Sequence, residues 1–282
     1  MKMRAFLTRH QLPAFFALAY ALSWACWLPL ALTGARVTPG GSVTHFPGLL
    51  GPALAAFVVT AITDGWPGIA RLLHRMVWVS RPTARFLLYS LSPLAFLAVA
   101  VLAAAMVGPG LPSPAGFALY SGLPVLPLPL VLLLVFLFNG FGEEVGWRGF
   151  ALERLQRRFG ALRGTLVLGL LWAGWHTPSF WFVEGYRSLG IGTLLGGFGL
   201  GILAGAIVLA RIGNCTQGSI LAAALWHFTY NLGSATAASR GVIGAVTTSC
   251  VMLWATVLLF FELRRGKEAA SYLRVTATTH DG

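Results

Sequence analysis

Charge is what this sequence has least of. Only 10% of its 282 residues are Asp, Glu, Lys or Arg, and eight are acidic against 20 basic. With 57% hydrophobic residues and a mean hydropathy of +0.76, so little charge excludes an ordinary soluble domain. Cysteine is scarce as well. Cys26, Cys215 and Cys250 lie far apart with no metal or redox spacing, so they read as small buried hydrophobes. There is no His-Glu-x-x-His, no Gly-x-Ser-x-Gly and no pair of Asp residues within an apolar run, which removes the usual zincin and serine-elbow arrangements. Repeats, low-complexity tracts and a separate soluble domain are also lacking. The net charge of +12 would suit nucleic acid only on the basic face of a soluble module. Here the basic residues stand between apolar runs, as topology signals do, and no nucleic-acid partner is expected.

What the chain does have is long apolar runs. Several approach the roughly 18–20 residues that cross a bilayer, and hydrocarbon requires such runs to satisfy their own backbone as helices. Eight spans are expected, at about 13–33, 46–63, 86–108, 123–147, 165–183, 189–210, 217–236 and 241–262, in a single integral membrane domain over 1–282. The first run is too long for the core of a signal peptide. With Met1 inside, every Lys and Arg falls on the inner side except Arg36, Arg187 and Arg240, the asymmetry that sets orientation. Both termini are therefore expected in the cytoplasm. Residues 64–85 and 149–163 read as amphipathic helices on the inner surface, and 266–282 as a frayed polar tail. Gly197, Gly201 and Gly205, at steps of four, read as a packing seam between helices.

Phe141-Gly-Glu-Glu-Val-Gly-Trp-Arg-Gly149 stands out against this background. It sets two adjacent carboxylates and an arginine at the end of an apolar run, where ionisable groups are costly and hence candidates for function. Only two histidines, His176 and His227, lie inside apolar segments. At 1.5 Å rise per residue, Glu143 lies roughly 15 Å from the basic cluster at Arg154, His176 roughly 17–20 Å past Arg163, and His227 about 15 Å past Gln217. Three helices thus bring polar groups to one level, nearer the cytoplasmic side, in a shared cavity between helices. Glu144 and Arg148 are four apart and pair on one helix face, which leaves Glu143 for the cavity. His227 and Asn231 share a face by the same spacing. A carboxylate beside an imidazole can activate water or join a metal site. An imidazole with an amide can donate to a developing oxyanion. The same residues also suit a gate, a proton-coupling site or a salt bridge at the membrane edge.

Glu143-Glu144-Val-Gly-Trp-Arg148, His176 and His227-Phe-Thr-Tyr-Asn231 together resemble the CAAX protease and bacteriocin-processing family of intramembrane endopeptidases, which includes the type II CAAX prenyl proteases. The first segment fits that family's Glu-Glu-x-x-x-Arg motif and the last its His-x-x-x-Asn motif. Their order and separation also agree, over a motif region of about 125–235. One departure is Trp172, where the second motif usually has Phe four residues before its His; an aromatic ring is kept.

The resemblance implies an all-α polytopic protein that hydrolyses a peptide bond within the membrane. Glu143, assisted by His176, would activate water, and His227 and Asn231 would stabilise the oxyanion. Glu144 with Arg148 would hold the site together, with Trp172 as support. The family is often described as metalloproteases, with Glu143, His176 and His227 as the ligands zinc or another divalent ion would take. It has also been argued to work without an obligatory metal. A peptide or protein substrate is expected from the membrane or the cytoplasmic side, and a bacterial inner membrane is the expected location. Other readings are a non-proteolytic scaffold or bacteriocin-immunity protein of the same fold, and a proton-coupled transporter. No inverted repeat supports the transporter.

Overall fold

The structure, a computed structural model, describes residues 2–107, 111–266 and 269–275. Among them every regular element is helical. The helices are α1 (Lys2–Arg9), α2 (Gln11–Leu32), α3 (Phe46–Thr63), α4 (Gly65–Val77), α5 (Thr83–Ser90), α6 (Ser92–Val107), α7 (Leu128–Phe159), α8 (Ala161–Trp175), α9 (Ile191–Cys215), α10 (Ile220–Leu232) and α11 (Val242–Arg264), with shorter turns between.

Five of these, α2, α3, α7, α9 and α11, are long and apolar enough to cross a bilayer. The pair α5–α6, bent by 43°, makes a sixth if it is one span. Eight are therefore not reached by length and composition. The two remaining expectations, 165–183 and 217–236, correspond to α8 with 15 residues and α10 with 13. α8 stops at Trp175 because Pro178 has no N–H to continue the ladder and disfavours helix in the residue before it. His176 caps the end of α8, and His227 and Asn231 lie in the second half of α10.

The bundle has two unlike ends. At one, loops 33–45, 111–127, 176–190 and 233–241 meet in a cap, joined by isolated bridges Val37 to Val183, Pro39 to Ser121, Gly40 to Pro124 and Tyr120 to Thr236. Arg36 pairs there with Glu184. At the other end Arg154 reaches Gln11 and Asp64. Arg75 donates to the carbonyls of Gly218 (2.7 Å), Gly149 (2.9 Å) and Arg148 (3.4 Å), tying α4 to α7 and to the α9–α10 turn. Burial pulls the Arg75 pKa down from its ordinary value; nearby Glu153 acts against that and Arg157 with it. Hydrogen bonds to a charged group are worth about 1.5–3 kcal/mol each, and orphaned carbonyls add a further cost. Arg75→Met is accordingly expected to lower the thermal unfolding temperature of the detergent-solubilised protein by several degrees, and an unchanged transition would refute this tie.

The tail departs from expectation. Residues 271–275 are docked, with Leu273 and Val275 buried. Glu262 accepts from Arg265, Ser271 and the Tyr272 N–H, and Gln156 donates to the Leu273 carbonyl and accepts from the Val275 N–H. Apolar Leu273 and Val275 and two buried polar partners outweigh the tail's polar composition. Residues 276–282, also expected to fray, lie outside the described residues.

α7 is continuous but widens into π turns over Phe136–Phe141 and Val145–Ala151, on either side of Glu143 and Glu144. Such bulges are frequent at functional sites because they re-aim side chains within a helix. Close packing against α3 constrains the same stretch. A Cβ on Gly146 would sit 2.5 Å from Pro52 Cβ and 2.6 Å from Pro52 backbone atoms, so only glycine fits.

Candidate active site

Glu143, Trp172, His176, His227 and Asn231, from α7, α8 and α10 and the turn after α8, line one cavity of about 770 Å³. Glu144 and Arg148 stand behind its wall. Arg148 donates Nη1–H to Glu144 Oε1 at 2.9 Å, the pairing the four-residue spacing anticipates. The same oxygen lies 2.8 Å from His227 Nδ1, so this carboxylate serves two partners while fully buried. A shared buried acceptor of this kind fixes the imidazole's orientation and leaves its Nε2 facing elsewhere.

Glu143 has a different environment. Its Oε2 accepts the Trp172 indole N–H at 2.8 Å, and its other oxygen has no donor among the described residues. Trp172 stands where the motif this sequence resembles usually has Phe, and the N–H that Phe lacks is the atom used. The Trp172 ring also lies 4.2 Å beneath the Arg148 guanidinium and edge-on to His227. Its carbonyl meets His176 Nδ1 at 2.8 Å, which turns His176 Nε2 away from the helix. Composition and spacing predict no such network; an indole N–H seeking an acceptor when buried is its only sequence signal.

Two further side chains in the wall escape sequence reasoning. His45, an apparent loop residue at a span edge, is folded back into the cavity wall with Nδ1 unpartnered. Burial pushes its pKa down to about 4, so it is neutral. Asn139, one turn before Glu143, lines the same cavity with a buried, unpartnered Oδ1. The glycine seam also differs from expectation. Gly197, Gly201 and Gly205 line the cavity, and of the three Gly201 approaches α11 at Thr248 while Gly205 faces Trp172. Small residues here make space as well as contact.

Glu143, His176 and His227 share the wall, yet among the described residues no three His, Cys, Asp or Glu side chains are grouped so that they could hold one metal ion. Arg148 Nε and Nη2 and Glu144 Oε2 have no hydrogen-bond partner among the described residues.

The cavity around Glu143 extends away from the arginine-rich end of the bundle. Its lining runs from Glu143 to Pro39, Ser121, Gly185, Tyr186 and Arg240 in the cap. A separate cavity of about 970 Å³ occupies the arginine-rich end, lined by Arg9, Arg71, Arg75, Arg154, Arg157 and Arg158 among others. The two share no residue.

Residues 124–233 match the type II CAAX prenyl endopeptidase Rce1-like family. CAAX prenyl protease 2 of Methanococcus maripaludis is 27% identical over 143 residues, which cover 49% of this chain and 50% of that protein. The chain thus spans about half the length of the curated relative it matches. The matched region holds every side chain of the Glu143 network described above.

Proposed function

We propose that this chain, which is similar to the type II CAAX prenyl endopeptidases over residues 124–233, is an integral membrane endopeptidase that hydrolyses a peptide bond in the cavity beside Glu143. One observation carries the reading. Glu143 has one oxygen held by Trp172 and the other without a donor among the described residues, in a cavity wall that also presents His176, His227 and Asn231.

The steps follow from those positions. Glu143 accepts a proton from water, and the oxygen attacks the scissile carbonyl carbon; His176 Nε2 orients that water. The carbonyl oxygen gains negative charge and is met by Asn231 Nδ2–H and by His227 Nε2–H. With Nδ1–H directed at Glu144, His227 carries Nε2–H only as imidazolium, and the Glu144 carboxylate compensates that charge. Collapse breaks the C–N bond, and protonated Glu143 returns its proton to the leaving amine. Water is consumed, and a carboxylate and an amine are released.

The test is direct. Purified protein incubated with a peptide library should cut at a definite bond, identified by mass spectrometry; absence of any product in active-site-intact protein would overturn the reading. Trp172→Phe keeps the ring and removes the N–H. Losing one hydrogen bond to a carboxylate, worth about 1.5–3 kcal/mol, should lower kcat/KM by roughly 10–100-fold. An unchanged kcat/KM would show that Trp172 does not hold Glu143.

A further inference from the structure

We propose that the cavity is loaded from the extracytoplasmic half of the membrane, through a slit between the first halves of α9 and α11 beneath the cap. Its substrate is then a polypeptide segment embedded in, or emerging at, the outer leaflet. The nature of the occupant rests on the endopeptidase reading; the side from which it enters does not.

Charge sets the direction. The four cap loops contain Arg36, Arg187 and Arg240 and no other Lys or Arg. The opposite end carries Arg9, Arg71, Arg75, Arg154, Arg157 and Arg158 around one cavity alone. Lysine and arginine near span ends are retained in the cytoplasm, so the cap faces outward.

The cavity's own shape agrees. Its solvent-exposed lining residues are Gly185, Thr193, Gly196, Arg240, Gly241, Ala245 and Ser249, all in the cap or in the first halves of α9 and α11. A Cβ at Gly185, Gly196 or Gly241 would meet nothing within 4 Å. Small side chains at that edge leave room for a polypeptide to pass. Toward the arginine-rich end the way is blocked. Trp147 and Phe150 are fully buried there and close on Phe15, at ring separations of 5.6 and 4.8 Å. Trp175 packs on Trp147 at 5.6 Å, so a closed aromatic floor lies beneath Glu143.

Thiol accessibility tests this without requiring turnover. Cys26, Cys215 and Cys250 are replaced by Ser, and single cysteines are introduced as Ser121→Cys or Ala245→Cys in the cavity and Thr8→Cys at the arginine-rich end. Right-side-out spheroplasts are treated with a membrane-impermeant charged thiosulfonate, then denatured and reacted with a maleimide-polyethylene glycol. Loss of the gel shift at Ser121→Cys and Ala245→Cys, with Thr8→Cys still shifted, is the expected result. Protection of Thr8→Cys alone, or no protection at both cavity positions, overturns the proposal. In parallel, an impermeant peptide cut by detergent-solubilised protein should be cut by right-side-out and not by inside-out vesicles. Cleavage by inside-out vesicles alone also overturns it. If no peptide is cut even in detergent, the endopeptidase reading fails while the labelling result stands.

Discussion

Glu143→Gln is expected to reduce peptide cleavage by about 10²–10⁴-fold, the range supplied by a positioned general base, with little change in thermal unfolding. The amide matches the carboxylate in size and keeps an oxygen for the Trp172 indole N–H. It cannot take a proton from water at neutral pH. Because Glu143 forms no ion pair within 4 Å among the described residues, its replacement strands no partner charge in direct contact. Product formation by mass spectrometry and unfolding by intrinsic fluorescence, on the same preparation, check both halves. Cleavage at the wild-type rate would remove Glu143 from the mechanism.

Glu144→Gln should behave differently although it changes the neighbouring residue by the same atoms. Glu144 Oε1 serves Arg148 at 2.9 Å and His227 at 2.8 Å in a fully buried position. Removing one partner of a buried pair costs about 3–5 kcal/mol, since the remaining charge stays desolvated. At roughly 2–4 °C per kcal/mol for a domain of this order, unfolding should fall by on the order of 10 °C. Turnover should fall with it, because the His227 imidazolium loses its compensating charge. The contrast is the informative result: one variant inactive and stable, the other inactive and destabilised. If both are equally stable, the division of labour between the two carboxylates is wrong.

Much of the framework is legible from residue order. Long apolar runs have to be helices in hydrocarbon, and the four-residue spacing of Glu144 and Arg148 is enough to anticipate their contact. The same spacing argument leaves Glu143 on another face by about 100° of helix rotation, and a π turn on either side of the pair was not visible in it. Span lengths were harder. α8 and α10 end at Trp175 and Leu232, just ahead of Pro178 and Gly233, a limit that hydropathy does not register.

Other features depend on parts of the chain far apart in sequence. His45 reads as a loop residue, yet the cap folds it onto the cavity wall. Trp172 reads as an aromatic kept for packing, yet its N–H is spent on a carboxylate 29 residues earlier. The docked tail follows from Glu262 and Gln156, two buried polar groups that require partners.

Class and helical content follow from composition, because the bilayer's demand for internal hydrogen bonding acts on each segment alone, and local spacing singles out the candidate site residues. Which carboxylate faces open space, what holds it and toward which end the cavity leads were decided only by tertiary packing. Those properties depend on the rotation and closure of helices against one another: Gly146 pressed on Pro52, the aromatic floor of Trp147, Phe150 and Phe15, and the bridged loops of the cap.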